Sequence, residues 1–348
     1  MSKLSDAKKL TLGADPEFCF TARAGGGLVP AVRLFNTNGE EDDNGDYIIN
    51  RDGEFGLDGC SDIAELRPKP SADPYVLVEN IRKALGIGYT KIPELKNYTW
   101  LASPSQDEYP MGGHIHLGYR SLPKGAFPNK INNGTMTELL DLYLAVPGIL
   151  VEPKYEADER RGDYGGLGDW RRQPWGMEYR TLSTWLSHPA VALSVLCLAK
   201  TVAVEGLMHG RALRAVSSKD LNVLYNETGT ADKAMRAKLL PIVYSRLTKF
   251  ELYPLYKDEI GFLMDMIHSN NSTLTRGDMK STWELNKFSP KIVKPKPKSL
   301  SQLFKVKRGT GLAARLSAAA QAYPQAAGEL PAQLINYIDA GRDTTAQG

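Results

Sequence analysis

Gly112-Gly113-His114-Ile115-His116-Leu117-Gly118 is the stretch from which the chain reads outward. Two imidazoles stand at i and i+2 on a short apolar run with glycines at both ends. Taken as a strand, the run turns both histidines to one face, because strand side chains alternate with period two. The glycines allow another backbone or a ligand to approach closely. The same spacing recurs in Asp15-x-Glu17, Glu65-x-Arg67 and Glu178-x-Arg180. Four such pairs, each aimed at one face of an expected strand, predict a single polar site lining a sheet.

Around these pairs the pattern supplies the remaining elements. Lys9 to Phe20 reads as a strand in which Pro16, with no N–H to donate, predicts an edge, a strand start or a bulge. Residues 24–54, rich in Gly, Asn and Asp, predict loops around a weak hairpin, and Phe55 to Pro68 reads as a turn feeding a strand. Asp73-Pro74 is a helix start, and the spacing of Val76, Val78, Ile81 and Leu85 carries that helix to Gly86. A strand near Tyr98 to Ala102 and the His-x-His strand follow. Thr135 to Val146 has helical periodicity and is expected to stop before Pro147.

Residues 158–174 read as a basic, glycine-rich loop delivering the chain into a strand at Gly176 to Leu182. Pro189 opens an apolar helix to about Ala215, and further helical patterns run from Ala231 to about His268. Lys291 to Lys298 is a proline-spaced basic linker, and an Ala- and Gln-rich tail follows. Two regions are therefore expected: a catalytic domain over 1–290 with a helical C-terminal half, and a linker and tail over 291–348. Strands come early and helices late without βαβ alternation, so the class is α+β with an antiparallel sheet.

Composition narrows the function classes. The chain has 348 residues, 42% of them hydrophobic, which is enough for a sizeable core. A net charge of +3 gives no electrostatic argument for nucleic acid or membrane. Three cysteines (Cys19, Cys60 and Cys197) are too few and too scattered for a disulfide framework and suit a reducing compartment. The first residues carry no apolar signal core, and the run Ala190 to Ala203, broken by Lys200, reads as too short to cross a bilayer. A soluble protein of the cytoplasm is the expectation.

Asp15, Glu17, Glu65 and Glu178, with Asp58 as a fifth acid, would crowd negative charge into one cleft. Like charges at close range cost stability unless cations neutralise them. Mg²⁺ or Mn²⁺ with oxygen ligands is the natural solution, and a His joins one site. Arginines beside the same acids (Arg67, Arg180, Arg171 and Arg172) imply an anionic substrate, since guanidinium forks match phosphate and carboxylate. Each pair has a plain alternative: a solvated turn, a surface ion pair, ordinary strand histidines, a solvated basic loop. Together they are harder to dismiss. His188, His209 and His268 read as structural or surface residues. No Gly-x-Ser-x-Gly, phosphate-binding lysine loop or dinucleotide fingerprint is present.

The order of these motifs resembles the catalytic domain of the glutamine synthetase and glutamate-cysteine ligase superfamily. More narrowly, Gly13-Ala14-Asp15-Pro16-Glu17-Phe18, Asp58 to Pro68, Gly112 to Gly118 and Glu178-Tyr179-Arg180 look like the phage-encoded carboxylate-amine ligases (amidoligases, type 2). The resemblance spans roughly residues 10–190. It implies a curved antiparallel sheet with helices on its convex face, whose concave face holds ATP and two or three Mg²⁺ or Mn²⁺ ions. Asp15, Glu17, Glu65, His114 and Glu178 match the metal ligands, with Asp58 a further acid of that stretch. His116 matches the residue near the nucleotide phosphates, and Arg180 the arginine facing the transferred phosphoryl group. Arg180, Glu178, His116 and Arg67 are accordingly the expected catalytic group. Arg171, Arg172, His116 and Arg180 are the expected nucleotide contacts.

The expected function is ATP-dependent ligation of a carboxylate to an amine through an acyl phosphate. Expected partners are small-molecule or peptide carboxylates and amines; nucleic acid is not expected, although a modified base would serve as an acceptor amine. The sequence names neither substrate nor an oligomeric state. Three rivals stay open: a kinase on a related sheet, a zinc hydrolase built on His114 and His116, and a non-catalytic interaction protein using the basic tail.

Overall fold

The computed structural model of the chain describes residues 3–22, 26–35, 53–60, 62–127, 132–149, 152, 154–210, 243–268 and 277–288. Its centre is β1 (Thr11–Ala22), a twelve-residue strand that the other sheet elements build on directly or through one or two intervening strands. Residues 11–16 of β1 pair with β8 (Gly113–Gly118), and residues 19–22 with β5 (Tyr98–Leu101). On the opposite edge, β1 pairs with β2 (Leu28–Val29) and with β4 (Ala64–Leu66), which is extended by β3 (Phe55–Leu57). β8 in turn pairs with β10 (Gly176–Tyr179), and β10 with β9 (Trp170–Gln173). Every ladder is antiparallel, and the sheet is open, in the order β3-β4-β1-β8-β10-β9. A two-stranded ribbon, β6 (Ser105–Gln106) with β7 (Tyr109–Pro110), stands apart from it.

Pro16 therefore sits in a central strand, not at the edge expected from its missing N–H. The local pairing removes the conflict. Leu12 N–H donates to Ser71 on one side of β1, and Glu17 N–H to Gly112 on the other. Backbone groups alternate sides along a strand, so Pro16 faces the Ser71 side, where the ladder to β4 begins only at Glu17. The missing N–H thus falls at the end of that ladder and not within it.

The even-numbered residues of β1 (Leu12, Ala14, Phe18, Phe20) join Ile115, Leu117, Met177 and Tyr179 on a fully apolar face. Helices cover that face. α7 (Pro189–His209) is buried from Pro189 to Leu207 and packs against α3 (Pro74–Lys91), α4 (Asn133–Leu140) and α8 (Tyr253–His268). α7 is long and apolar enough by composition to cross a membrane, which corrects the shorter run read from the sequence. It is instead the core helix here, with 94% of its most apolar window buried inside the fold. Lys200 does not interrupt it, because its ammonium donates to the carbonyls of Lys8 and Leu10.

Several expected boundaries move for identifiable reasons. Asp73 caps α3 as expected, accepting from Tyr75 N–H at 2.9 Å, but the helix runs past Gly86 to Lys91. Gly86 and Gly88 are close-packing positions: a Cβ there would lie 2.3 Å from the Phe288 ring and 2.4 Å from Phe55. Val76 is 44% exposed, and Leu77 supplies the core contact in its place. Helix also continues through Pro147. Asp141–Ala145 forms a wide π turn, in which Val146 N–H reaches the carbonyl of Asp141, and α5 (Val146–Ile149) follows. The wider turn relieves the clash a proline makes with the preceding turn of an α-helix.

The basic loop expected over 158–174 is instead the end of α6 (Lys154–Asp163), a glycine turn and β9. α7 ends at Gly210, whose φ of 61° belongs to the left-handed region, and not near Ala215. α1 (Lys3–Ala7), α2 (Ala31–Leu34) and α9 (Met279–Thr282) are short. Most of the hairpin expected within 24–54, part of the helical pattern from 231, the 290/291 boundary, the linker and the tail lie outside the described residues.

Candidate active site

Strand register alone assembles the site. Directly opposite residues of antiparallel strands share a face. Glu17 is opposite Glu65, Asp15 opposite His114, His116 opposite Glu178, and Glu178 opposite Arg171. Asp15, Glu17, Glu65, Arg67, His114, His116, Glu178 and Arg171 thus occupy one face in adjoining rows. Arg180, two residues beyond Glu178, joins them with its Nε 3.5 Å from Glu178 Oε1.

Within those rows lie two sets of ligand atoms. Asp15, His114 and Glu178 each offer one, all within 4.8 Å of one another; Glu17, Asp58 and Glu65 do the same. His114 connects the sets, with Nδ1 3.3 Å from Asp15 Oδ1 and 3.7 Å from Glu178 Oε1, and Nε2 3.9 Å from Glu17 Oε1. His116 Nε2 approaches Asp15 Oδ1 at 3.1 Å. Asp15 Oδ1, both His114 nitrogens and His116 Nε2 are buried and make no hydrogen bond, the shorter approaches being misaligned and those at 3.7 and 3.9 Å too long. Buried polar atoms are rarely left so. Hard oxygens with one or two imidazole nitrogens are the donor set that suits Mg²⁺ or Mn²⁺, and the residues fit such an ion. A zinc site on His114 and His116 would take a carboxylate as third ligand, and the excess of carboxylates over imidazoles here suits the harder ions better.

Electrostatics register the crowding. Burial lifts the Glu65 carboxyl to about 9, the nearby Asp15 and Glu17 charges add to this, and Arg67 opposes it. Glu17 is also raised, chiefly by burial. Burial would raise Asp15 too, but the two imidazoles beside it hold its carboxyl well below the usual carboxylate range. His114 is raised: burial favours its neutral form, yet Asp15, Glu17 and Glu178 outweigh that. Perturbed groups of this kind concentrate at functional sites.

The arginines divide. Arg171 grips Glu178 with both nitrogens, Nε to Oε2 at 3.0 Å and Nη2 to Oε1 at 2.5 Å, and Gln173 donates to Oε2 at 2.6 Å. Arg67 pairs with Glu65 and donates to the Leu57 carbonyl. Arg172 lies opposite Met177, whose side chain is in the core, so register turns Arg172 to the other face from Arg171. The structure does not bring it to the site.

Three contributors were not singled out in the sequence. Tyr164 donates to Glu17 Oε2 at 3.0 Å. Arg160, fully buried, donates to the carbonyls of Arg180, Thr181 and Leu182. Asp141, on the π turn, accepts from Tyr179 Oη at 2.7 Å, Gly168 N–H at 2.9 Å and Thr181 Oγ1 at 3.3 Å; burial lifts it to about 6. Asp141 and Arg160 together fix the segment that carries Arg180. The only local signal for Asp141 was a carboxylate amid an apolar helical run.

An open antiparallel sheet with helices on one face and a crowded acidic, histidine-bearing centre on the other defines the class: an α+β protein whose sheet carries the chemistry. Within that class, the chain belongs to the phage phiEco32-like COOH.NH2 ligase-type 2 family, whose profile matches residues 12–285. It is a member of a family of carboxylate-amine ligases. Among solved structures, it is similar to the crystal structure of a bifunctional glutathione synthetase from Pasteurella multocida. That likeness has 10% sequence identity and a TM-score of 0.45, over 81% of this chain and 49% of that one. The chain therefore spans about half the length of that protein. No curated protein matches the chain.

Proposed function

We propose that the chain is an ATP-dependent ligase, with a glutamine synthetase-like catalytic sheet, that joins a carboxylate to an amine. The carrying observation is the pair of adjoining ligand sets, Asp15–His114–Glu178 and Glu17–Asp58–Glu65, on one sheet face beside three arginines. Each set would hold one Mg²⁺ or Mn²⁺, which would supply charge neutralisation for a triphosphate and its γ-phosphoryl group. The chain's own cations complete the site. Arg171 and Arg180 bind phosphate oxygens, and Arg67, at the other end of the rows, meets the substrate carboxylate. His116, 4.7 Å from the Trp175 ring and tilted 34° to it, donates toward phosphate. Phosphoryl transfer depends mainly on such positioning and charge compensation.

In this reaction a carboxylate oxygen attacks the γ-phosphorus, the bond to ADP breaks and an acyl phosphate forms. The amine nitrogen then attacks the acyl carbon. A C–N bond forms, the C–O bond to phosphate breaks, and inorganic phosphate and one proton leave. The test is phosphate release by the full chain with ATP, Mg²⁺ and a panel of amino acids and peptides, alongside nucleotide-binding calorimetry with Mg²⁺. Release at least about 100-fold above a Glu178→Ala control, with an amide product, is expected. Absence of both phosphate release above that control and binding of Mg²⁺–nucleotide would sink the reading, and a stable phosphorylated product would point to a kinase.

A further inference from the structure

Tyr164 meets Glu17, His114 and Arg180 at once, with buried Arg160 beside it. Its hydroxyl donates to Glu17 Oε2 at 3.0 Å, and Gly112 N–H donates to the same oxygen at 2.5 Å. With both donors on Oε2, Oε1 is the Glu17 oxygen that faces His114 Nε2, at 3.9 Å. The Tyr164 ring lies edge-on to His114, centroids 6.1 Å apart. The Arg180 guanidinium carbon is 5.4 Å from the ring centroid, and that of Arg160 is 4.5 Å away. Arg160 is anchored on backbone carbonyls, so the ring lies in reach of a fixed cation as well as of Arg180. Gly112 is small for a matching reason: a Cβ there would fall 2.8 Å from the Tyr164 hydroxyl and 2.4 Å from His114 Nε2.

We propose that Tyr164 is a positioning residue that couples the two ligand sets, its hydroxyl aiming Glu17 and its ring holding Arg180. This rests on the reading of those sets as divalent-cation sites. A role in packing alone would use the ring and not the hydroxyl. The hydroxyl instead does what partners beyond the ligand shell do for metal-binding carboxylates: it fixes which oxygen faces the ion.

The test uses the full chain as wild type, Tyr164→Phe, Tyr164→Leu, Glu17→Gln and the Tyr164→Phe/Glu17→Gln double variant, each titrated with Mn²⁺ by calorimetry. Wild type is expected to bind Mn²⁺ in two events. Tyr164→Phe should weaken one event roughly ten-fold or more and leave the other within about two-fold. The double variant should be no weaker than Glu17→Gln alone, because the hydroxyl acts through Glu17. Tyr164→Leu should add a several-fold rise in KM for ATP through Arg180. Two unchanged Mn²⁺ affinities in Tyr164→Phe, or independent losses in the double variant, overturn the proposal while leaving the ligase reading intact. A wild type that binds no Mn²⁺ overturns the reading beneath it as well. If Tyr164→Phe does not unfold cooperatively, the packing role stands and the proposal falls.

Discussion

Two sets of buried charge differ in how they are satisfied. Arg160 and Lys200 are cations with 0% and 1% exposure, and their charge is met by backbone carbonyls, three for Arg160 and two for Lys200, with Arg160 Nε the one nitrogen left over. Glu17, Glu65, Glu178 and His114 are buried too, but with half-buried Asp15 they crowd one another, and Asp15 Oδ1 and both His114 nitrogens make no hydrogen bond. A buried charge matched by carbonyls is architecture, since its desolvation is offset locally. Crowded like charges lower stability and persist where they serve a ligand. The same depth of burial thus has two meanings, and partner chemistry separates them.

The largest effect expected from this contrast is on the architectural side. Arg160→Met removes a donor from three carbonyls, of which only that of Leu182 keeps another, Gly113 N–H, and should cost about 3 kcal/mol of unfolding free energy. Denaturant unfolding at neutral pH measures it, and a loss below about 1 kcal/mol would erase the distinction.

On the site side the sign should reverse. Glu65, lifted to about 9 from an ordinary 4.5, holds its proton more tightly folded than unfolded. Its favourable contribution is therefore present below about 4.5 and lost as pH rises toward and through about 9. In chelator-containing buffer, the stability of wild type relative to Glu65→Gln should fall across that window. By pH 8 the variant should be the more stable, by of order 1 kcal/mol, while its ligase activity drops roughly 10–100-fold. Rising relative stability of wild type over the same range would contradict the crowding argument.

The smallest effect sharpens the comparison between neighbours. Arg172→Ala should change activity less than about two-fold and stability within about 0.5 kcal/mol. Arg171→Ala, one residue away and on the Glu178 side, should raise KM for ATP or lower turnover many times more. Equal losses in both would mean that strand register does not decide which arginine serves the site.

What could be read without the fold was periodicity. The i, i+2 pairs carry their own face assignment, so Asp15, Glu17, Glu65, His114, Glu178 and Arg180 were recoverable as a group from spacing and order. The α+β class followed from the arrangement of strands and helices. Long-range packing was not recoverable. Pro16 in a central strand depends on where the ladder to β4 begins, and Gly86 within α3 depends on Phe288. Pro147 within a helix depends on a π turn. Arg171 and Arg172 look equivalent until register gives them opposite faces. Tyr164 and Asp141 act through partners far away in sequence, Glu17 for one and Tyr179 with Thr181 for the other, and no local pattern encodes such pairings.

The position of β1 also governs how the protein comes into being. Its strand partners run as far as Gly118, 107 residues after Thr11, and β10 extends the sheet beyond that. At a ribosome adding roughly 5–20 residues per second, β1 waits roughly 5–20 s before β8 has been made. For that interval the strand on which the sheet depends is an apolar edge without its main partner, a ready template for wrong pairing. The sheet closes late, through contacts of high sequence separation, and that topology makes for slow folding. The nascent chain is thus at its most aggregation-prone while the first two site acids, Asp15 and Glu17, have no histidines to face.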